Sequence, residues 1–237
     1  MGLRLPYTLL DRFRDLFAGK VFRHRSSNQG DLVAIQFFED LYTLPNPSPK
    51  YIKRVNQGVS VLNVQNRRHG IKARRGDGSF GEIVPNVPAI TDPGFTVKRG
   101  PIATIEVGIE VKIIAKAMIK QIDRVINDLK GQVTQFKSQH GKPITIGIVG
   151  VNHAPQYISY EGDRTYPTTG VGGFLHPNQE AAEAEARLIS LAAPSYDEFL
   201  ILRFIATNQA PFKFSWLNAQ KTNLDYGAVL ARVSNTF

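Results

Sequence analysis

Cysteine is absent from the 237-residue chain, which excludes disulfide frameworks and cysteine-rich zinc sites together. A reducing, cytoplasmic setting agrees with that composition. No apolar run reaches the ~18 residues needed to cross a bilayer, so no membrane partner is expected. The opening segment, MGLRLPYTLLDRFRDLFAG, carries Asp11 and Asp15 inside its apolar stretch and does not read as a secretory signal. Internal repeats, low-complexity tracts and long Gly, Ser or Pro linkers are also missing. With 42% hydrophobic residues, the chain can bury one large core, and a single domain over residues 1–237 is expected.

Several catalytic signatures are missing too. The histidines, His24, His69, His140, His153 and His176, are scattered singly. They form neither a metalloprotease pair nor a His-Asn-His arrangement. The TGVGG run at Thr169–Gly173 lacks the Lys-Ser/Thr that completes a phosphate-binding loop, so it reads as a flexible loop. A hydrolase acting on phosphorylated small molecules is weakened accordingly.

Acidic residues are also unevenly spread. Between Asp40 and Asp77 there is no carboxylate, while Lys50, Lys53, Arg54, Arg67, Arg68, Lys72, Arg74 and Arg75 are all present. Net charge is +9. Such a run is either a solvated basic surface or a surface that contacts phosphates. The second reading makes Lys53, Arg54, Arg67, Arg68, Lys72, Arg74 and Arg75 the candidate DNA-binding residues. Tyr157, Tyr160 and Tyr166 could stack on bases or simply pack.

Hydrophobic periodicity orders the elements. It predicts helices over 31–42, 49–56, 116–138, 180–193 and 224–233. Strands are predicted over 59–64, 79–84, 102–114, 144–151, 199–205 and 212–216, with loops over 85–101 and 152–177. Helix, strands, helix, strand in that order argue for an α/β fold with a mixed sheet.

The segment 102–114, IATIEVGIEVKII, is the clearest of these. Its odd positions are uniformly apolar, and its even positions include Glu106, Glu110 and Lys112. A period of two puts the carboxylates and the amine on one face of a strand. Phosphodiester hydrolysis needs hard oxygen ligands for a divalent cation and a positive group near the attacking water. A Glu-X-Lys pair supplies one of each, although the same triplet also serves as a simple salt bridge on an exposed strand. A second carboxylate must complete the site. Asp77 precedes the strand 79–84, and Asp92 lies in the following loop beside Pro93. Asp77 is preferred, because a strand start fixes a ligand better than a loop does.

With Glu110-Val111-Lys112, the helix after it and the buried strand after that, the chain resembles the PD-(D/E)XK nuclease superfamily, which includes type II restriction enzymes. The resemblance covers residues 31–151, and the stretch Tyr196–Asn218 is similar to the closing region of some members. It implies a restriction-endonuclease-like mixed central sheet flanked by helices, with residues 152–237 as a C-terminal elaboration. It further implies Mg²⁺-dependent endonuclease chemistry on DNA, with Mn²⁺ able to substitute. Asp77 and Glu110 would be the metal ligands and Lys112 the catalytic cation. Glu106, Glu39 and Asp92 are possible additional acids. Gly76 stands where the family has proline. A homodimer is expected, since cutting both strands of a duplex calls for two sites related by symmetry. The alternative is a non-catalytic DNA-binding or scaffold protein that retains the fold.

If the basic run holds phosphates, replacing Arg67, Arg68, Arg74 and Arg75 together by Ala should weaken DNA binding. It should also flatten the salt dependence by up to about one slope unit per lost contact. An unchanged slope in a salt titration would assign the run to solvent.

Overall fold

A computed structural model describes residues 6–24, 29–63, 76–138 and 141–237. Six strands form one mixed sheet in the order β1-β2-β3-β4-β7-β8. They are β1 (Ser60–Leu62), β2 (Gly78–Glu82), β3 (Val107–Ile114), β4 (Ile144–Asn152), β7 (Glu198–Ala206) and β8 (Phe214–Trp216). A separate hairpin pairs β5 (Ile158–Glu161) with β6 (Arg164–Pro167). Strands β1, β2 and β3 pair antiparallel, β3, β4 and β7 run parallel, and β8 closes the sheet antiparallel to β7.

Helices cover both faces. On one face α1 (Thr8–Asp15), α2 (Gln29–Tyr42) and α6 (Ala219–Thr236) bury Phe13, Phe37, Phe38 and Leu230 against Ile109, Val111, Ile146 and Ile148. On the other, α4 (Met118–Lys137) and α5 (Pro177–Arg187) enclose Ile122, Leu129 and Leu188 with Ile114, Val149 and Val151. Strand β4 is apolar on both sides because it is covered on both sides, as parallel strands usually are. The short helix α3 (Pro49–Gln57) starts at Ser48, whose hydroxyl accepts the Tyr51 N–H. Among the described residues no helix is long and apolar enough to cross a membrane.

Several expected boundaries move. The strand predicted from Ile102 begins at Val107. Upstream of it, Ala103 donates to Glu82 and Glu106 donates to Phe80. Since Phe80 pairs with Val107 and Ile83 with Ile102, residues 103–106 stand against Gly81 and Glu82 alone, and this wide bulge breaks the strand that sequence alone carries back to 102. The predicted loop 152–177 contains the β5–β6 hairpin, turned by Gly162 at φ 61° and Asp163. Phe212, predicted to open the last strand, has φ 54°, outside the extended region, and β8 starts at Phe214. The last helix begins at Ala219 rather than Leu224, because the Asn218 carboxamide accepts the Lys221 N–H and caps it there. Residues 188–192 leave α5 as a π turn, so the helix predicted to Ala193 ends at Arg187.

Helix α1 has no cap of its own, and α2 supplies one. The buried Asp40 carboxylate accepts the N–H groups of Thr8 (2.7 Å) and Leu9 (2.9 Å), the Thr8 hydroxyl (2.6 Å) and the Tyr226 hydroxyl (2.8 Å). One side chain thereby joins α1, α2 and α6. Asp40→Ala leaves the Leu9 N–H and the Tyr226 hydroxyl buried without an acceptor and is expected to cost about 3 kcal/mol. In a chain of this size that lowers the melting temperature by about 6–12 °C, and a loss under 2 °C by calorimetry would contradict this role.

Candidate active site

Strand β2 ends its pairing with β3 at Gly78↔Ile109. Beyond that point β3 has no neighbouring strand on this side, and its next N–H groups need other acceptors. Asp77 provides one: its Oδ2 accepts the Val111 N–H at 2.7 Å, while its own N–H donates to the Ile109 carbonyl. This positions the carboxylate beside Glu110 without any loop folding back.

Two glycines make the placement possible. A Cβ on Gly30 of α2 would lie 2.6 Å from the Asp77 carboxyl carbon, so any larger residue there would displace the acid. Gly76 turns the chain into Asp77 at φ 66°, and a Cβ on it would meet the Phe136 ring at 2.5 Å. A proline at this position could not adopt that φ.

Glu110 is buried, 6% exposed, on the face of β3 that α4 covers. Its Oε1 receives the Lys112 ammonium at 2.6 Å. Burial first, and then the nearby Glu110 charge, push the Asp77 carboxyl up to about 7. The Val111 N–H and Lys112 oppose that rise, and Asp31 of α2 adds to it. Burial likewise raises Glu110, partly offset by Lys112, with Asp128 of α4 adding to the rise. For Lys112, burial pulls the ammonium down, but Glu110, Asp77 and Asp128 outweigh it and hold the lysine charged.

The other expected residues lie elsewhere. Glu39 clamps the loop after β2, both its oxygens accepting the Thr96 N–H and one the Val97 N–H. Glu106 sits before β3 proper, paired with Arg54 at 3.1 Å and with the Ser60 hydroxyl at 2.8 Å. Asp92 forms a 2.6 Å ion pair with Arg99. Arg54 is taken up by Glu82 and Glu106, whereas Lys53 is exposed on α3. Arg67, Arg68, Lys72, Arg74 and Arg75 lie outside the described residues. Gly30, Asp31 and Asp128 were not singled out from the sequence. Only the Gly-Asp pair at the head of a predicted helix offered a signal for the first two.

Among the described residues no three or more acids or histidines gather into a group able to hold a metal by themselves. The Asp77–Glu110 pair still has the donor chemistry for Mg²⁺, which uses one or two carboxylates and keeps several waters. A cation between the two acids would also offset the Glu110 charge that adds to the rise of Asp77. The chain matches no protein-family model, no curated protein and no solved structure.

A carboxyl that titrates near 7 when folded and near 4 when unfolded binds its proton more tightly in the native state. Stability from this group is therefore lost as pH rises from about 4 towards 7. Asp77→Asn keeps an acceptor for Val111 and escapes the loss. In EDTA its melting temperature should rise relative to wild type between pH 5 and pH 8. A pH-independent difference would show that Asp77 carries no such load.

Proposed function

We propose that this protein is a Mg²⁺-dependent DNA endonuclease of the restriction type, with residues 31–151 as a restriction-endonuclease-like core. The observation that carries the reading is the meeting of Asp77, Glu110 and Lys112 where β2 leaves β3. The chain order supports it. An acid heads β2, β2 runs antiparallel to β3, β3 carries Glu-Val-Lys, and α4 leads to the parallel strand β4. That is the order of the superfamily pattern.

The site residues divide the work by charge. Asp77 and Glu110 would hold the ion, whose chemistry is to polarise the phosphodiester and acidify water. Lys112 is kept protonated by its acidic neighbours, so it serves as a donor rather than a base. Its ammonium orients the attacking water or steadies negative charge on the phosphoryl oxygens, in a setting where low dielectric strengthens both effects. The water oxygen bonds to phosphorus as one bridging P–O bond breaks, leaving a phosphate monoester and a hydroxyl.

Lys112→Ala should abolish cleavage of plasmid DNA in Mg²⁺ while the protein still folds and binds DNA, because the side chain fills no apolar core and the acids it leaves can take up a proton or the Mg²⁺ ion. Asp77→Asn should lose both cleavage and Mn²⁺ binding by titration calorimetry. Asp92→Asn gives up an ion pair worth at most about 1 kcal/mol and should keep most of both. Normal cleavage by Lys112→Ala would sink the mechanism, and a dead Asp92→Asn beside a live Asp77→Asn would move the metal site. DNA binding by a wild type that never cleaves would favour the non-catalytic alternative.

A further inference from the structure

A second cleft opens past the C-terminal end of β3. It has a volume of about 400 Å³ and lies between the start of α4 and the β5–β6 hairpin with the turn after it. Lys116, Lys120, Tyr166 and Phe174 bring their charges and rings to its wall. Phe174 is 63% exposed and Tyr166 41%, unusual for aromatic rings in a chain that buries most of its others.

The loop that presents Phe174 is tied down rather than collapsed. Its carbonyl accepts the N–H groups of Thr169 and Gly170, and the Thr168 hydroxyl bonds the His176 Nδ1 at 2.8 Å. The N–H groups at the start of α4 are already taken by the buried Glu180 carboxylate, so the helix end itself is no anion site. What remains is Lys116, just ahead of α4, and Lys120 in its first turn, on a wall they share with two rings. Glu161 beside Lys116 offsets one positive charge, leaving a modest net positive wall.

We propose that this cleft binds an unpaired nucleotide of a DNA strand, its base against Phe174 and Tyr166 and its phosphate at Lys116 and Lys120. This rests on the nuclease reading and extends its substrates to DNA that carries a single-stranded segment beside the cut. Aromatic faces recognise bases by stacking irrespective of sequence, while lysines follow the backbone. A fully paired duplex hides its base faces and cannot use the rings. Lys116 follows Lys112 by four residues, at most ~13 Å along an extended chain. A strand rising ~3.4 Å per stacked nucleotide covers that span in about four nucleotides, so one strand can reach both sites.

The test is fluorescence anisotropy in EDTA with a labelled oligo-dT and a blunt duplex of equal length. The full chain is compared with the double variant Phe174→Ala/Tyr166→Ala. Both rings are exposed, so melting should not change. The variant is expected to bind oligo-dT about tenfold or more weakly and the duplex within about twofold of wild type. Equal losses on both DNAs, no loss on either, or no DNA binding at all would overturn the proposal. Cleavage in Mg²⁺ is scored separately. A selective loss of oligo-dT binding in a protein that never cleaves would keep the cleft and discard the nuclease reading, and cleavage without that selectivity would do the reverse.

Discussion

Two carboxylates sharing a poorly hydrated pocket at the edge of one strand are the interaction around which this structure is organised. Like charges at low dielectric repel strongly, and one lysine can neutralise only one of them. The fold nevertheless enforces the meeting. Val111 donates to Asp77, Gly30 leaves room for it, and Lys112 is bound to Glu110. Burial and the excess charge together are relieved by a proton, and Asp77 rises to about 7; an added cation would relieve the charge as well. An arrangement that destabilises the fold near neutral pH is hard to explain as a structural ion pair. Burying a single Lys–Glu bridge would have been easier.

Other acids in the protein show what a structural carboxylate looks like here. Asp40 receives two N–H groups and two hydroxyls, Glu180 caps α4, and Asp197 holds the Thr145 N–H and hydroxyl at the head of β4. Each sits where a helix or strand begins and supplies acceptors that the segment itself lacks. Glu39 does the same for the loop at Thr96 and Val97. Asp77 differs in having a second acid and a lysine beside it, and that difference separates a candidate site from a cap.

Much of this was legible in the sequence because periodicity reports faces. The alternation around Glu110 and Lys112 placed both opposite Ile109 and Val111, and the structure has them there. Asp77 and Glu110 nevertheless stand 33 residues apart in the chain. Residues 83–106 form an excursion, tied by the Ile83↔Ile102 and Ile90↔Arg99 bridges, which returns the chain to pair antiparallel with β2. What periodicity cannot report is which neighbour an acid meets. Glu106 shares the parity of Glu110, but it lies in the bulge over residues 103–106 and meets Arg54 instead. Glu39 faces a loop backbone from far along the chain, a partner no local pattern announces. Helix α1 also went unread, since its cap comes from Asp40 on another helix.

Electrostatics around the site add a further constraint. The chain carries +9 overall, yet Asp31, Asp77, Glu110 and Asp128 all act on the neighbourhood of one lysine. Under the nuclease reading, a phosphate drawn in by the basic exterior meets a net negative locus at its destination. Bringing a phosphodiester there without a cation sets three anionic groups against Lys112 alone. With a dication in place the balance reverses, so DNA at the cleavage position and the ion must favour one another. That coupling is reciprocal: whatever factor the ion adds to the affinity for DNA, DNA adds to the affinity for the ion. A weak two-carboxylate site can therefore suffice, because the substrate itself helps to complete it.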